Sequence, residues 1–285
     1  MRRIFVTGAF GGIGRRLTAE LGSEIVTIDQ SGADLDLELL RPLEFPYGEF
    51  KAGDVVFHLA AISSPDLCER EPALAWEINV SNTSVFIERA LARGAKVIFF
   101  SSDVVYWQRD DPADENSICA PVSNYAAMKR RVEETFAADS SFKTFRLSYV
   151  LSCEDRFLSY LAGCFEKGIA AEVYDSLWRN VVHVGDVVDA ARAVAKDWDV
   201  LKARVLNVIG LRCVSRFDLA EAYREWVAPG LEIIKTEPDP GFFAARPRRI
   251  ALRSLYLKEV LGREPVTINE ALKKEFASPE ARGTK

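Results

Sequence analysis

The chain has 285 residues and carries 37 Lys and Arg against 42 Asp and Glu, a net charge of -5 at pH 7. That mild acidity gives no reason to expect a nucleic-acid partner. With 48% apolar and 28% charged residues, the composition is that of an ordinary globular chain, long enough for one large domain or a domain with a smaller lobe. The five cysteines are scattered without a Cys-x-x-Cys pair, and no metal-ligand spacing occurs, so neither a disulfide framework nor a bound metal is expected. No apolar run is long enough to cross a membrane, and Met1-Arg2-Arg3 leads straight into a strand with no signal-peptide core. A cytoplasmic protein with reduced thiols and no membrane partner is the expectation.

The apolar run 4–7 predicts a buried strand, and a helix is expected from about Gly12 to Leu21. Between them lie Gly8, Gly11 and Gly14 at a spacing of three. This arrangement suits the pyrophosphate of a dinucleotide. Gly8 permits a tight turn, Gly11 and Gly12 let backbone approach phosphate, and Gly14 lets helix pack on strand. The helix N-terminus offers unpaired N–H groups to the anion. A second strand over 24–28 closes on Asp29, whose carboxylate can hydrogen-bond an adenosine ribose and repel a 2′-phosphate, which points to NAD.

Segment 30–52 is too short for a full strand–helix pair, so a short or missing third strand is expected, with Asp34 and Leu35 near the adenine. The run Asp54 to Ala61 is a buried strand ending in small residues that leave room for a cofactor. Pro72 opens a helix that Gly94 caps, and Val97–Phe100 is a strand ending in Ser101-Ser102-Asp103. Residues 108–122 are polar and read as a loop. Ser123 or Asn124 caps a helix to about Ala138, with Tyr125 and Lys129 one turn apart on one face. Lys143–Leu147 is a strand. Beyond Val150 the alternation weakens. Helices are expected over 156–168, 186–198, after Ser215, over 253–262 and from Ile268 to Phe276, with strand-like pieces over 173–184 and a strand over 205–208. The fold class is α/β, a Rossmann-type doubly wound parallel sheet with a small C-terminal substrate-binding lobe. Residues 1–150 form the nucleotide lobe, with 181–210 returning to it; 151–180 and 211–285 form the substrate lobe.

Ser102, Tyr125 and Lys129 form a catalytic trio for hydride chemistry at a carbinol carbon. A phenol with an ordinary pKa of ~10 is too weak a base near neutrality, and a lysine ammonium one turn away favours the phenolate. A serine hydroxyl can hold the substrate oxygen. The chain resembles the extended short-chain dehydrogenase/reductase family of nucleotide-sugar epimerases, dehydratases and reductases. The blocks that carry the resemblance include Val6-Thr7-Gly8-Ala9-Phe10-Gly11-Gly12-Ile13-Gly14, His58-Leu59-Ala60-Ala61, Phe100-Ser101-Ser102-Asp103, Asn124-Tyr125-x-x-x-Lys129 and Arg179-Asn180-Val181-Val182-His183. They continue with Leu206-Asn207-Val208 and Arg246-Pro247, in the family's order.

The resemblance implies that Gly8, Phe10, Gly11, Gly12 and Ile13 line the pyrophosphate and that Leu59, Ala60 and Ala61 flank the cofactor. Lys129 also touches the nicotinamide ribose. Arg179 and Arg246 match arginines that pair with a substrate pyrophosphate, and Ser63 is placed with them on the substrate side. His58 and His183 read as structural. Asp103 is followed by Val104, so the Asp-Glu pair of sugar dehydratases is absent, and Ser102-Asp103-Val104-Val105-Tyr106 is nearer the pattern of dehydrorhamnose-type 4-ketosugar reductases. The Arg179–Asp186 block is nearer that of epimerases. Trp107 replaces the usual glycine. The expectation is an NAD-dependent oxidoreductase acting on a nucleotide sugar; a 4-epimerase with tightly held cofactor and a non-catalytic NAD-binding sensor or scaffold are the alternatives. A homodimer pairing through the helices that begin near Pro72 and Ser123 is also implied.

Overall fold

A computed structural model describes residues 2–22 and 25–277; Glu24, expected to open the second strand, lies outside the described residues. The first half runs β1 (Ile4–Thr7), α1 (Gly12–Leu21), β2 (Ile25–Asp29), β3 (Leu35–Asp36), β4 (Val55–His58), α2 (Pro65–Arg70), α3 (Pro72–Trp76), α4 (Thr83–Ala92), β5 (Lys96–Ser102), β6 (Arg109–Ala113), α5 (Asn124–Phe136) and β7 (Phe142–Leu147). The second half runs β8 (Tyr149–Leu151), α6 (Arg156–Lys167), β9 (Ala171–Tyr174), β10 (Trp178–His183), α7 (Val184–Lys196), β11 (Val205–Val208), β12 (Cys213–Ser215), α8 (Arg216–Trp226), β13 (Ile233–Thr236), β14 (Arg249–Leu252), α9 (Leu257–Leu261) and α10 (Ile268–Phe276).

Seven strands form one parallel sheet in the order β11-β7-β5-β4-β1-β2-β3. Strands β4 and β7 are buried along their whole length, as expected of a sheet covered on both faces. Thr7 lies level with Ile28 on one side and His58 on the other. The chain therefore leaves β1, β2 and β4 at one carboxyl edge, which brings Gly8, Asp29 and Leu59 together. A ligand in such a sheet sits at that edge.

The stretch after β2 has only two paired residues in β3. Two single 3-10 turns, Pro42–Glu44 and Tyr47–Glu49, replace a crossover helix. Their aromatic residues cover the sheet instead: Phe50 meets Phe5 with ring centres 4.7 Å apart, and Phe45 meets Phe86 at 5.3 Å. Burial by large rings does the work of a helix in fewer residues.

Beside this sheet, β10 is flanked by antiparallel β12 and parallel β14, with β6 beyond β14 and β8 pairing β10. Strands β9 and β13 form a separate parallel pair. Several expectations are corrected here. The polar segment 108–122 contains β6, an edge strand that tolerates Pro112 because its outer side lacks a neighbour. Helix α2 precedes Pro72, capped by Ser64, which accepts from Leu67 N–H at 3.3 Å. The helix from Pro72 is interrupted by a π-helical turn at Glu77–Asn82. The helix expected over 253–262 is confined to α9, and β14 precedes it.

Candidate active site

The glycine turn is built to bring backbone close to a ligand. Gly8 has φ +66°, and a Cβ there would stand 3.0 Å from Ala60 N. A Cβ on Gly14 would stand 2.2 Å from Gly8 O, so α1 packs directly on the turn. Gly11 caps α1 without any side-chain hydrogen bond, which leaves the first N–H groups of the helix facing outward. The Asp29 carboxylate accepts from Phe10 N–H at 2.9 Å and from Gln30 N–H at 2.8 Å, clipping the end of β2 to the turn. Thr7 Oγ1 accepts from the N–H groups of Leu59 and Ala60, both at 3.1 Å, and fixes the small-residue strand end.

These groups open into a cleft of about 940 Å³. Gly8, Gly11, Gly12, Ile13, Gly14 and Asp29 line one end, and Leu59, Ala60, Ala61 and Ser63 line the wall. Tyr125, Lys129 and Arg246 line it as well. Other sequence-predicted residues are placed elsewhere. Phe10 turns its side chain to solvent, 45% exposed. The Asp34 carboxylate accepts from the N–H and hydroxyl of Thr27, both at 2.8 Å, which pulls its pKa down. Leu35 pairs Ile28 in the sheet. The cleft wall near them is Leu37, Glu38, Leu39 and Leu40. Ser102 donates its hydroxyl to Asp103 at 3.2 Å, and the cleft wall at this point is Phe100 and Ser101.

Ser123 caps α5 by accepting from Ala126 N–H, and this sets the face that carries Tyr125 and Lys129. The Lys129 ammonium donates to Phe100 O at 2.9 Å and lies 4.6 Å from the Phe99 ring centre and 5.8 Å from that of Tyr125. Burial brings its pKa down to about 8, opposed by the Glu133 carboxylate one turn along. Burial raises the Tyr125 phenol above its ordinary 10.0, with Cys68 and Asp103 adding to the rise. Burial thus keeps Tyr125 a protonated phenol in the ligand-free cleft.

Beneath this pair is a buried ionic network. Ser101 donates to Glu133 at 2.6 Å, and Arg146 clasps the same carboxylate through Nη2 at 2.6 Å and Nε at 3.1 Å. Arg146 also donates to the Tyr106 hydroxyl at 2.7 Å. The histidines are structural, as expected. His58 meets Thr7 Oγ1 at 3.1 Å, and burial lowers its pKa to about 3. His183 meets Glu275 of α10 at 2.9 Å. Among the described residues no cluster of His, Cys, Asp and Glu could hold a metal.

The arginines differ most from expectation. Arg179 lies outside the cleft wall. Its guanidinium donates to Trp178 O at 2.6 Å and Pro247 O at 2.7 Å, and stands 3.8 Å from buried Asp103. Arg246 does line the cleft but is held by Asp66 in a bidentate pair at 2.7 and 2.6 Å, which lowers the Asp66 pKa. Two further arginines, Arg156 and Arg216, also line the cleft, and Arg15 bridges to Glu154 at 2.7 Å above the glycine turn. Their sequence surroundings carry no motif, so only the tertiary fold reveals them.

The family described as RmlD substrate binding domain matches residues 1–279. The dTDP-4-dehydrorhamnose reductase of Aggregatibacter actinomycetemcomitans is 23% identical over 296 residues, covering 96% of this chain and 98% of that protein. Methionine adenosyltransferase 2 subunit beta of Rattus norvegicus is 30% identical over 135 residues, 45% of this chain and 40% of that one. A crystal structure of Thermus thermophilus UDP-glucose 4-epimerase in complex with NAD shares the fold with a TM-score of 0.84, at 21% identity over 99% of this chain and 100% of that one.

Proposed function

The chain belongs to the RmlD substrate binding domain family, and from that premise we propose that it is an NAD-dependent oxidoreductase that reduces a keto group on a nucleotide-activated sugar. One observation carries the reading: a single cleft is lined by the glycine turn and Asp29, by the Tyr125–Lys129 pair and by Arg156, Arg216 and Arg246. The turn fits a dinucleotide, because a Cβ at Gly8 would collide with Ala60 and the uncapped start of α1 offers free N–H groups. Asp29 would meet the adenosine ribose, and it favours NAD over a cofactor with a 2′-phosphate.

A bound nicotinamide dinucleotide supplies the hydride. The chain's own part is the proton. Tyr125, kept protonated by burial, donates its phenolic hydrogen to the carbonyl oxygen as that oxygen becomes a hydroxyl. The Lys129 ammonium then stabilises the phenolate left behind, held in place by Phe100 O. Ser102, at the end of β5, would hold the sugar oxygen once its hydroxyl turns from Asp103.

We further read residues 1–150 and 181–210 as the cofactor lobe and the remainder as the substrate lobe. Leu74 and Trp76, 39% and 41% exposed at α3, support a homodimer through the helices that begin at Pro72 and Ser123. The five free thiols support a cytoplasmic location. The partial match to methionine adenosyltransferase 2 subunit beta favours a second reading, a cofactor-binding subunit without turnover. A panel of nucleotide 4-ketosugars, watched at the reduced-nicotinamide absorbance band, separates the two. Loss of absorbance with one of them is expected. NADH binding without any turnover across the panel favours the subunit, and turnover with no net absorbance change favours the epimerase.

A further inference from the structure

Of the arginines near the cleft, Arg156 is exposed, Arg179 donates to the carbonyls of Trp178 and Pro247, and Arg246 is clasped by Asp66. Arg216 is different. It lines the cleft and pairs with no carboxylate among the described residues. A guanidinium is always charged, and one that faces a cleft without a carboxylate partner is available to an anionic ligand.

The side chain is also held for the task. Its guanidinium carbon lies 4.1 Å from the Tyr149 ring centre and 4.5 Å from that of Phe157. Both rings are fixed by one carboxylate: Asp155 accepts from the Tyr149 hydroxyl and from the N–H groups of Phe157 and Leu158 at 3.0 Å. The root of the side chain is set by Arg216 N–H donating to Leu177 O at 3.0 Å and by the Ser215–Asp218 capping box of α8. A guanidinium held against two rings in a cleft wall is restrained in position, and its fork of N–H groups matches phosphate oxygens. We infer that Arg216, clamped between Tyr149 and Phe157, is the residue that binds the diphosphate of the nucleotide substrate, in the role that sequence pattern assigns to Arg179. This inference rests on the nucleotide-sugar reading above.

The test is calorimetric titration of dTDP and UDP, and of thymidine and uridine as diphosphate-free controls, into NADH-saturated wild type, Arg216→Gln, Arg216→Lys and Arg179→Gln. Arg216→Gln is expected to weaken the better-bound nucleoside diphosphate roughly 10- to 100-fold, the loss of one charged hydrogen-bonding group, with NADH and nucleoside affinity unchanged. Unchanged diphosphate affinity in Arg216→Gln overturns the inference, as does a loss confined to NADH or one seen only in Arg179→Gln. If Arg216→Gln does not fold, Arg216→Lys, which keeps charge but not the flat fork, is expected to lose about fivefold, and no loss overturns the inference. Wild type that binds neither dTDP nor UDP instead removes the nucleotide-sugar reading, and this inference with it.

Discussion

Glu133→Gln perturbs the network under the catalytic helix while keeping volume and hydrogen-bonding capacity. Glu133 and Arg146 have side chains 3% and 2% exposed, paired at 2.6 Å. Removing one charge leaves the other buried without a counter-ion, which costs about 3–5 kcal/mol. For a chain of 285 residues the unfolding entropy is about 0.6 kcal/mol/K, so the melting temperature should fall by about 5–8 °C. Calorimetry or denaturant unfolding of the cofactor-free protein measures this. The double variant Glu133→Gln with Arg146→Met removes the stranded charge and should recover much of the loss. A single variant that melts within about 2 °C of wild type, or a double variant as unstable as the two single variants summed, refutes the reasoning. Glu133 also raises the Lys129 pKa, so in the single variant the alkaline limb of activity should move to lower pH.

Four further outcomes follow from the same geometry. Lys129 has a folded pKa of about 8, against an ordinary 10.5, so kcat/KM should fall as pH rises through about 8, and Lys129→Arg should shift that limb upward. Because the unfolded chain binds one more proton here between pH 8 and 10.5, stability from this group alone should rise across that window by about 3 kcal/mol, measurable by denaturant unfolding at several pH values. Glu154, held by Arg15 over the glycine turn, repels an incoming pyrophosphate; Glu154→Ala should tighten NADH binding roughly two- to fivefold in a fluorescence titration, and weaker binding counts against the placement of the cofactor. Asp29→Asn should raise NADPH affinity relative to NADH by about tenfold, and an unchanged ratio removes Asp29 as the source of preference.

Local signals carried the cofactor end of the site. The buried runs of β1 and β4 are apolar in sequence, and the glycine turn and Asp29 stand within one βαβ unit, β1-α1-β2, where period and spacing decide the structure. The α5 cap placed Tyr125 and Lys129 correctly on one face. What was hidden depends on contacts between distant segments. The contacts of Arg179 with the carbonyls of Trp178 and Pro247 could not be read from its motif. Arg216 had no motif, because its meaning comes from Tyr149 and Phe157 across the fold. Asp34 is consumed by Thr27 within a turn too short for a regular strand. The electrostatics of Tyr125 followed from burial, which no one-turn spacing to a lysine encodes. Segments such as β6 and α2 were masked by charge, proline and brevity.

The central claim is that this cleft moves a hydride to a sugar carbon while Tyr125 gives the proton. It is tested most directly with NADH deuterated at the transferred position, incubated with the panel of nucleotide 4-ketosugars and wild-type or Tyr125→Phe protein. Wild type should place deuterium on the former carbonyl carbon of one sugar, and Tyr125→Phe should slow that transfer by about 10²- to 10⁴-fold while still binding NADH. No label in any sugar with wild type, or full transfer by Tyr125→Phe, would contradict the account.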